Sequence, residues 1–332
     1  MPTNADYQKT FDIINKSNNI LITSHVKPDG DSCGCIVSIM EAFKPFGKKI
    51  MPLLLSPLPE WYKFLFETLP AVLDENIAIE KLKQGAFDLI IIVDTNSYTQ
   101  LPDFEDYLKT VDKPILVIDH HLASDGIGDI ELVDSSAAAT ALVVYDFLKF
   151  TKLQITPKIA QALFVAIATD TGWFQFNNTD SRVHRVCAEL IETGVRPAEI
   201  YHRLYQNFSP QRIKLMTKMF DNLELHFHGR YATQHLLQSD FRESGANLND
   251  TENLIDECRR IRTVEVAALF VELPDGKIKC SLRSRGAVNV GQIAQKLGGG
   301  GHKMASGITM NVPLDVAKQV VKSEIQKQLN VS

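Results

Sequence analysis

Eight residues in four short stretches are of types that could do chemistry together. HVKPDGDS (25–32) carries His25, Asp29 and Asp31. VDTN (93–96) carries Asp94, DHH (119–121) carries Asp119, His120 and His121, and ATDTG (168–172) carries Asp170. Five carboxylates cannot share a small volume while all are ionised, because like charges force some of them to take up protons. A divalent cation removes that repulsion, and two remove it better. Carboxylate and imidazole without thiolate suit Mn²⁺ and also admit Mg²⁺, Fe²⁺ or Co²⁺. A single His or Asp after a strand is ordinarily a turn or cap residue. Four such motifs at element ends point instead to a metal site.

The elements that must position these groups are legible as alternating apolar runs and helical patterns. Strands are expected at 19–24, 49–55, 88–93, 114–119 and 130–133. Several are continuously apolar, as strands covered on both faces are. Helices are expected from about Ser32 to Phe46 and over 57–68, 77–85, 136–150, 157–169 and 181–194. The alternation predicts a wound parallel α/β sheet with helices on both faces. Such sheets place ligands at the carboxyl ends of their strands, where His25, Asp94 and the DHH triplet fall. Pro28 and Gly30 argue against a helix through 25–32. The expectation is a loop that sends Asp29 and Asp31 to different sides, with Ser32 as a cap of the following helix.

Residues 195–222 read as one or two linking helices. From Leu223 a smaller mixed α/β domain is expected: a hairpin turning at 228–230, a helix over 250–262, and a hairpin turning at 274–276. A short helix, the run GGGG (298–301), a strand near 306–311 and a terminal helix follow.

Composition narrows the function classes. The chain has 332 residues, 45% hydrophobic and 23% charged, with a net charge of −5. That balance argues against a protein that coats long nucleic acid. Five scattered cysteines suggest no disulfide framework. No signal peptide or membrane span is read, so the expected location is cytoplasmic. Trp173, Phe174 and Phe176 read as packing residues rather than a base platform. His184, His202, His226 and His228 read as structural or solvent-facing. The linking helices are a candidate homodimer surface, although their spacing fits internal packing equally.

Taken in order, HVKPDGDS, VDTN, DHH and ATDTG resemble the four motifs of the DHH phosphoesterase family. GGGGHKMASG (298–307) resembles the hallmark of the DHH-associated C-terminal domain. Within the family the length resembles the small stand-alone branch, the nanoRNases and pAp phosphatases. The resemblance implies a catalytic domain at 1–194, a linker at 195–222 and a substrate-binding domain at 223–332. It implies two Mn²⁺ ions, with Asp94 shared, His25 and Asp29 completing one site, and Asp31, His120 and Asp170 completing the other. Asp119 would support the site and His121 would face the phosphate. Arg283, Ser284, Arg285, Gly300, Gly301 and His302 would grip substrate, and Arg262 reads as a weaker candidate. The implied reaction is metal-assisted hydrolysis of short oligoribonucleotides to mononucleotides and of 3′-phosphoadenosine 5′-phosphate (pAp) to AMP. Two readings stand beside it: a phosphodiesterase for linear or cyclic dinucleotides such as pApA or c-di-AMP, and a non-catalytic nucleotide sensor. A pyrophosphatase shares the metal motifs but is disfavoured by the glycine-loop domain.

Overall fold

The run NILIT forms β1 (Asn19–Thr23), and its residues are buried alternately against two different cores. Ile20 and Ile22 enter one, and Leu21 enters the other. The same division holds in β4 (Leu89–Val93) and β5 (Ile115–Asp119), which explains why residues 89–93 and 115–118 form unbroken apolar runs. The computed structural model describes residues 1–301 and 303–329. It divides into two units, the first running to Gln206 and the second starting at Asn207.

In the first unit, β2 (Lys49–Leu54), β3 (Ala71–Val72) and β6 (Ile130–Val133) complete a six-stranded parallel sheet of order β3-β2-β1-β4-β5-β6. The chain winds outward from β1 to β3, then returns to β4 and winds the other way. The reversal falls between β1 and β4, the crevice where such sheets bind ligands. One face is covered by α1 (Asn4–Lys16), α2 (Gly30–Phe43), α5 (Thr140–Phe150), α6 (Pro157–Asp170) and α7 (Ser181–Glu192). The other carries α3 (Ile79–Lys83) and α4 (Glu105–Thr110). The helix α8 (Pro197–Tyr205) closes the unit.

The closest helix pair is α2 against α6, and glycines make it so. A Cβ at Gly34 would lie 2.4 Å from the Ala162 carbonyl oxygen, and one at Gly30 would lie 2.2 Å from Thr169 Oγ1. The backbones therefore approach as near as bare Cα atoms allow. This sets the start of α2, with Asp31, beside the end of α6, with Asp170.

The second unit holds α9 (Pro210–Asp221), β7 (Glu224–His226), β8 (Tyr231–Leu236), α10 (Gln238–Ser244), α11 (Leu254–Cys258), β9 (Val266–Glu272), β10 (Ile278–Ser284), α12 (Val290–Lys296), β11 (Gly300–Gly301), β12 (Ala305–Met310) and α13 (Leu314–Leu329). Its sheet has the order β11-β12-β10-β9-β8-β7, antiparallel except for β8 and β9. Helices α12 and α13 bury one face, and α9, α10 and α11 bury the other.

Three helix expectations are corrected. The helix expected from Ser32 to Phe46 begins at Gly30, ends at Phe43 and is followed by a 3₁₀ turn. Asp29 is its cap, and Ser32 only returns the reciprocal bond. The segment 57–68 forms just a 3₁₀ helix, Glu60–Leu65, after Pro57 and Pro59 deny it a regular start. The helix expected over 250–262 is two short pieces separated by Asn253, whose φ of 59° is left-handed and cannot sit inside a right-handed helix. Helices α1, α4 and α10 were not anticipated. Among the described residues, no helix is long and apolar enough to cross a membrane.

Candidate metal centre and substrate-binding strand

His25 follows β1. Its Nδ1 bonds the Val26 carbonyl oxygen at 2.8 Å, which turns Nε2 toward Asp94 Oδ2 at 3.3 Å and Asp29 Oδ1 at 3.8 Å. Asp94 follows β4 with a φ of 63°, a left-handed conformation that a non-glycine residue adopts only under constraint. The kink carries its carboxylate into the crevice, where it is 2% exposed. His120 is fixed by its Nδ1 bond to the Ala137 carbonyl oxygen at 3.1 Å. Its Nε2 lies 3.7 Å from Asp94 Oδ1 and 3.6 Å from Asp170 Oδ2. Asp119 is wholly buried, and its Oδ1 accepts from the His120 backbone N–H and from His121 Nδ1, both at 2.8 Å. Its Oδ2 has no hydrogen-bond partner among the described residues. The His121 side chain is half exposed.

Three trios result, each with one donor atom per residue and all three within 4.8 Å of one another: His25, Asp29 and Asp94; Asp94, His120 and His121; and Asp31, His120 and Asp170. Electrostatics strain the cluster. Burial, reinforced by the charge of Asp29, pushes Asp94 up to about 6. Burial, reinforced by Asp31, pushes Asp170 up to about 8. Asp31 is raised by the same two causes, its burial and then its neighbour Asp94. Burial alone would lower His25, but its bonds to Asp29 and Asp94 outweigh that and raise it to about 11. The hydrogen bond to Asp119 holds His121 up to about 9, so it is cationic at neutral pH. Hard oxygen and imidazole donors that repel one another and face a crevice fit divalent cations of the Mn²⁺ and Mg²⁺ kind.

Sequence reading missed Thr140 and Asn96. The Thr140 hydroxyl donates to Asp94 Oδ1 at 2.9 Å. Asn96 donates from Nδ2 to Ser124 Oγ at 2.8 Å and accepts from the Ile127 N–H at 3.2 Å, pinning the loop after the DHH triplet. Nothing in the local pattern distinguishes either from an ordinary loop residue.

The residues expected to grip substrate lie in the second unit. Arg283 is on β10, its guanidinium 3.8 Å from Asp256. Arg285 lies one residue past the strand and donates to the carbonyl oxygens of Arg259, Ile261 and Arg262. Ser284 points to the opposite face. It is buried and accepts from the Gly286 N–H, so its side chain is committed to the turn. Arg262 offers its carbonyl to Arg285. Gly300 and Gly301 are exposed on β11. A Cβ at Gly300 would meet nothing within 4 Å, whereas one at Gly301, where φ is 135°, would lie 2.5 Å from Ser306 Cα. His302 lies outside the described residues. Trp173 and Phe174 pack against the first core, while Phe176 is exposed.

A wound parallel sheet with this donor set at its carboxyl edge, followed by a unit built on a mixed sheet, defines a class of metal-dependent phosphoester hydrolases. The DHH family N-terminal domain matches residues 19–167, and the DHHA1 domain matches 229–327. The bifunctional oligoribonuclease and PAP phosphatase NrnA of Thermus thermophilus is 33% identical over 93% of this chain and 90% of its own length. A probable protein of the same description from Streptococcus mutans is 30% identical over 87% and 89%. The chain belongs to the DHH family and is a hydrolase. In fold it superposes on an exopolyphosphatase-related protein from Bacteroides fragilis with a TM-score of 0.89 and 22% identity, over 98% of this chain and 96% of that one.

Proposed function

We propose that this protein hydrolyses short oligoribonucleotides to mononucleotides and pAp to AMP, using two divalent cations, Mn²⁺ foremost. The observation that carries the reading is the placement of Asp94 between two sets of donors, His25 with Asp29 on one side and His120 on the other. Those residues, with Asp31 and Asp170, would hold the cations. When bound, such ions neutralise the carboxylates and bring the pKa of water near neutrality. His121, half exposed, would then face the phosphate and stabilise charge on its equatorial oxygens. Asp119 holds His121 by Nδ1 and leaves its Nε2 free for that task.

Chemistry belongs to the first unit and grip to the second. Arg283, Arg285, Gly300 and Gly301 supply guanidinium forks and bare backbone suited to a terminal phosphate. The Ser284 side chain is left out because it is occupied. The printed functions of the Thermus and Streptococcus relatives support the substrate class. Five unpaired, buried cysteines accord with a reducing cytoplasm.

The test is hydrolysis by purified protein with Mn²⁺ and, separately, pAp, a labelled RNA dinucleotide, a long RNA, c-di-AMP and pyrophosphate. Release of AMP from pAp and of mononucleotides from the dinucleotide, with long RNA a poor substrate, is expected. Turnover of c-di-AMP alone would move the protein to the cyclic-dinucleotide class. Tight binding with no turnover would make it a sensor.

A further inference from the structure

The segment from Ala137 to Ala141, a run of small residues around one threonine, touches three of the donor residues, His120, Asp31 and Asp94. The Ala137 carbonyl oxygen accepts from His120 Nδ1 at 3.1 Å. The Ala138 carbonyl oxygen accepts from Asn178 Nδ2 at 3.1 Å, and the same Nδ2 lies 3.2 Å from the Asp170 carbonyl oxygen. At the first turn of α5, the Thr140 N–H donates to Asp31 Oδ2 at 2.6 Å and the Ala141 N–H donates to Asp31 Oδ1 at 2.9 Å. The Thr140 hydroxyl reaches Asp94 Oδ1 at 2.9 Å. The segment is itself anchored. Buried Asp134 accepts from the Ser136 N–H and hydroxyl and pairs with Arg182 of α7 at 3.0 Å.

Of the segment's own residues, Thr140 alone contributes a side chain to the contacts described, and that side chain is fully buried. It holds Asp31 through its backbone and Asp94 through its hydroxyl, so one residue fixes two carboxylates against each other. The hydroxyl occupies Asp94 Oδ1 on one side and leaves Oδ2 turned toward His25. Without it, the Asp94 carboxylate could rotate about its terminal torsion, which is broad and intrinsically soft.

We propose that Thr140 is a positioning residue: its hydroxyl locks the Asp94 carboxylate in the orientation that serves both cation sites at once. The inference rests on the reading of Asp94 as the shared ligand. Partners of this kind tune metal affinity by about 10–100-fold.

The experiment is calorimetric titration of Mn²⁺ into chelator-stripped protein. It compares the wild type with Thr140→Val, which keeps shape and backbone but loses the hydroxyl, and with Thr140→Ser, which keeps the hydroxyl. Thr140→Val should weaken Mn²⁺ binding by about 10-fold or more, while Thr140→Ser stays near wild type. If Thr140→Val does not accumulate as folded protein, Thr140→Ala removes the same hydroxyl and is titrated in its place. Wild-type affinity in a hydroxyl-free variant overturns the inference and leaves the metal reading standing. Equal weakening in Thr140→Ser overturns it too, since packing would then be the cause. Failure of the wild type to take up Mn²⁺ overturns both.

Discussion

The acidic edge of the first unit and the basic strand of the second are two different states of readiness. At the acidic edge most donors are already aimed. His25, His120 and His121 are each held by Nδ1, Asp31 is held by two helix N–H groups, and Asp94 is held by Thr140. What is left unresolved there is charge, because the carboxylates of buried Asp31 and Asp94 and of half-buried Asp170 are raised above their usual range. On the basic strand the charges are settled by internal partners, with Arg285 turned onto carbonyls of its own unit and Arg283 near Asp256. In the first region the carboxylates repel one another, which a bound cation would relieve. The second would have to exchange existing partners for a ligand. On the proposed function, preorganisation would be spent where bonds are made and broken, and adaptability kept where substrate would be held.

The harshest way to break this contrast is at its centre. Asp94→Ala should lower hydrolysis by at least about 10³-fold and weaken Mn²⁺ uptake at both cation sites, read by steady-state kinetics and calorimetry. A variant retaining most activity would dissolve the shared-ligand reading.

The charge imbalance predicts a pH dependence in metal-free protein. Asp94 and Asp170 stand near 6 and 8 folded against an ordinary 3.8, and His25 and His121 near 11 and 9 against 6.5. A group raised in the folded state contributes stability at low pH that disappears as pH climbs through its folded value. Asp170, His25 and His121 act in one direction between pH 6 and 9, whereas the contribution of Asp94 is largely lost by pH 6. The chelated protein should melt lower at pH 9 than at pH 6, by more than about 5 °C, and saturating Mn²⁺ should shrink that gap. An unchanged gap would mean that the cation does not relieve these carboxylates.

The rigidity of the acidic edge is tested at a distance by Gly34→Ala. The added methyl must push α2 from α6, at a cost of about 1–3 kcal/mol, measured by denaturant unfolding. The movement should also loosen Mn²⁺ binding, because Asp31 and Asp170 ride on the two helices. The smallest effect is expected on the other side of the comparison. Arg285→Ala should lower stability by no more than about 1 kcal/mol and raise the Michaelis constant severalfold with Mn²⁺ affinity unchanged. Loss of metal affinity in that variant would place Arg285 in the fold rather than in the grip on substrate.

Strands β1, β4 and β5 were legible because two-sided burial writes itself as an apolar run, whereas the two-residue β3 was not anticipated. The second hairpin was legible because PDG turns where its conformations are needed. Helix α1 was not, since its sequence is polar and only Thr10 and Ile14 are buried. The cap of α2 was assigned to Ser32 rather than Asp29 because either residue can cap. The choice depends on where α6 lets α2 begin.

By itself the sequence determined which chemical groups stand at the ends of which strands, since residue type and period-two or period-3.6 patterning are local properties. It also determined the DHH family, through motifs short enough to survive as strings. Only the tertiary structure decided how those groups meet. Thr140 and Asp31 are 109 positions apart, and their contact exists because Gly30 and Gly34 admit α6 and because the start of α5 is aimed at the crevice. The left-handed turn at Asp94 and the commitment of Arg285 to carbonyls of its own unit were decided the same way. Long-range packing selects one among several conformations that the local chain permits, and a linear pattern carries no record of that selection.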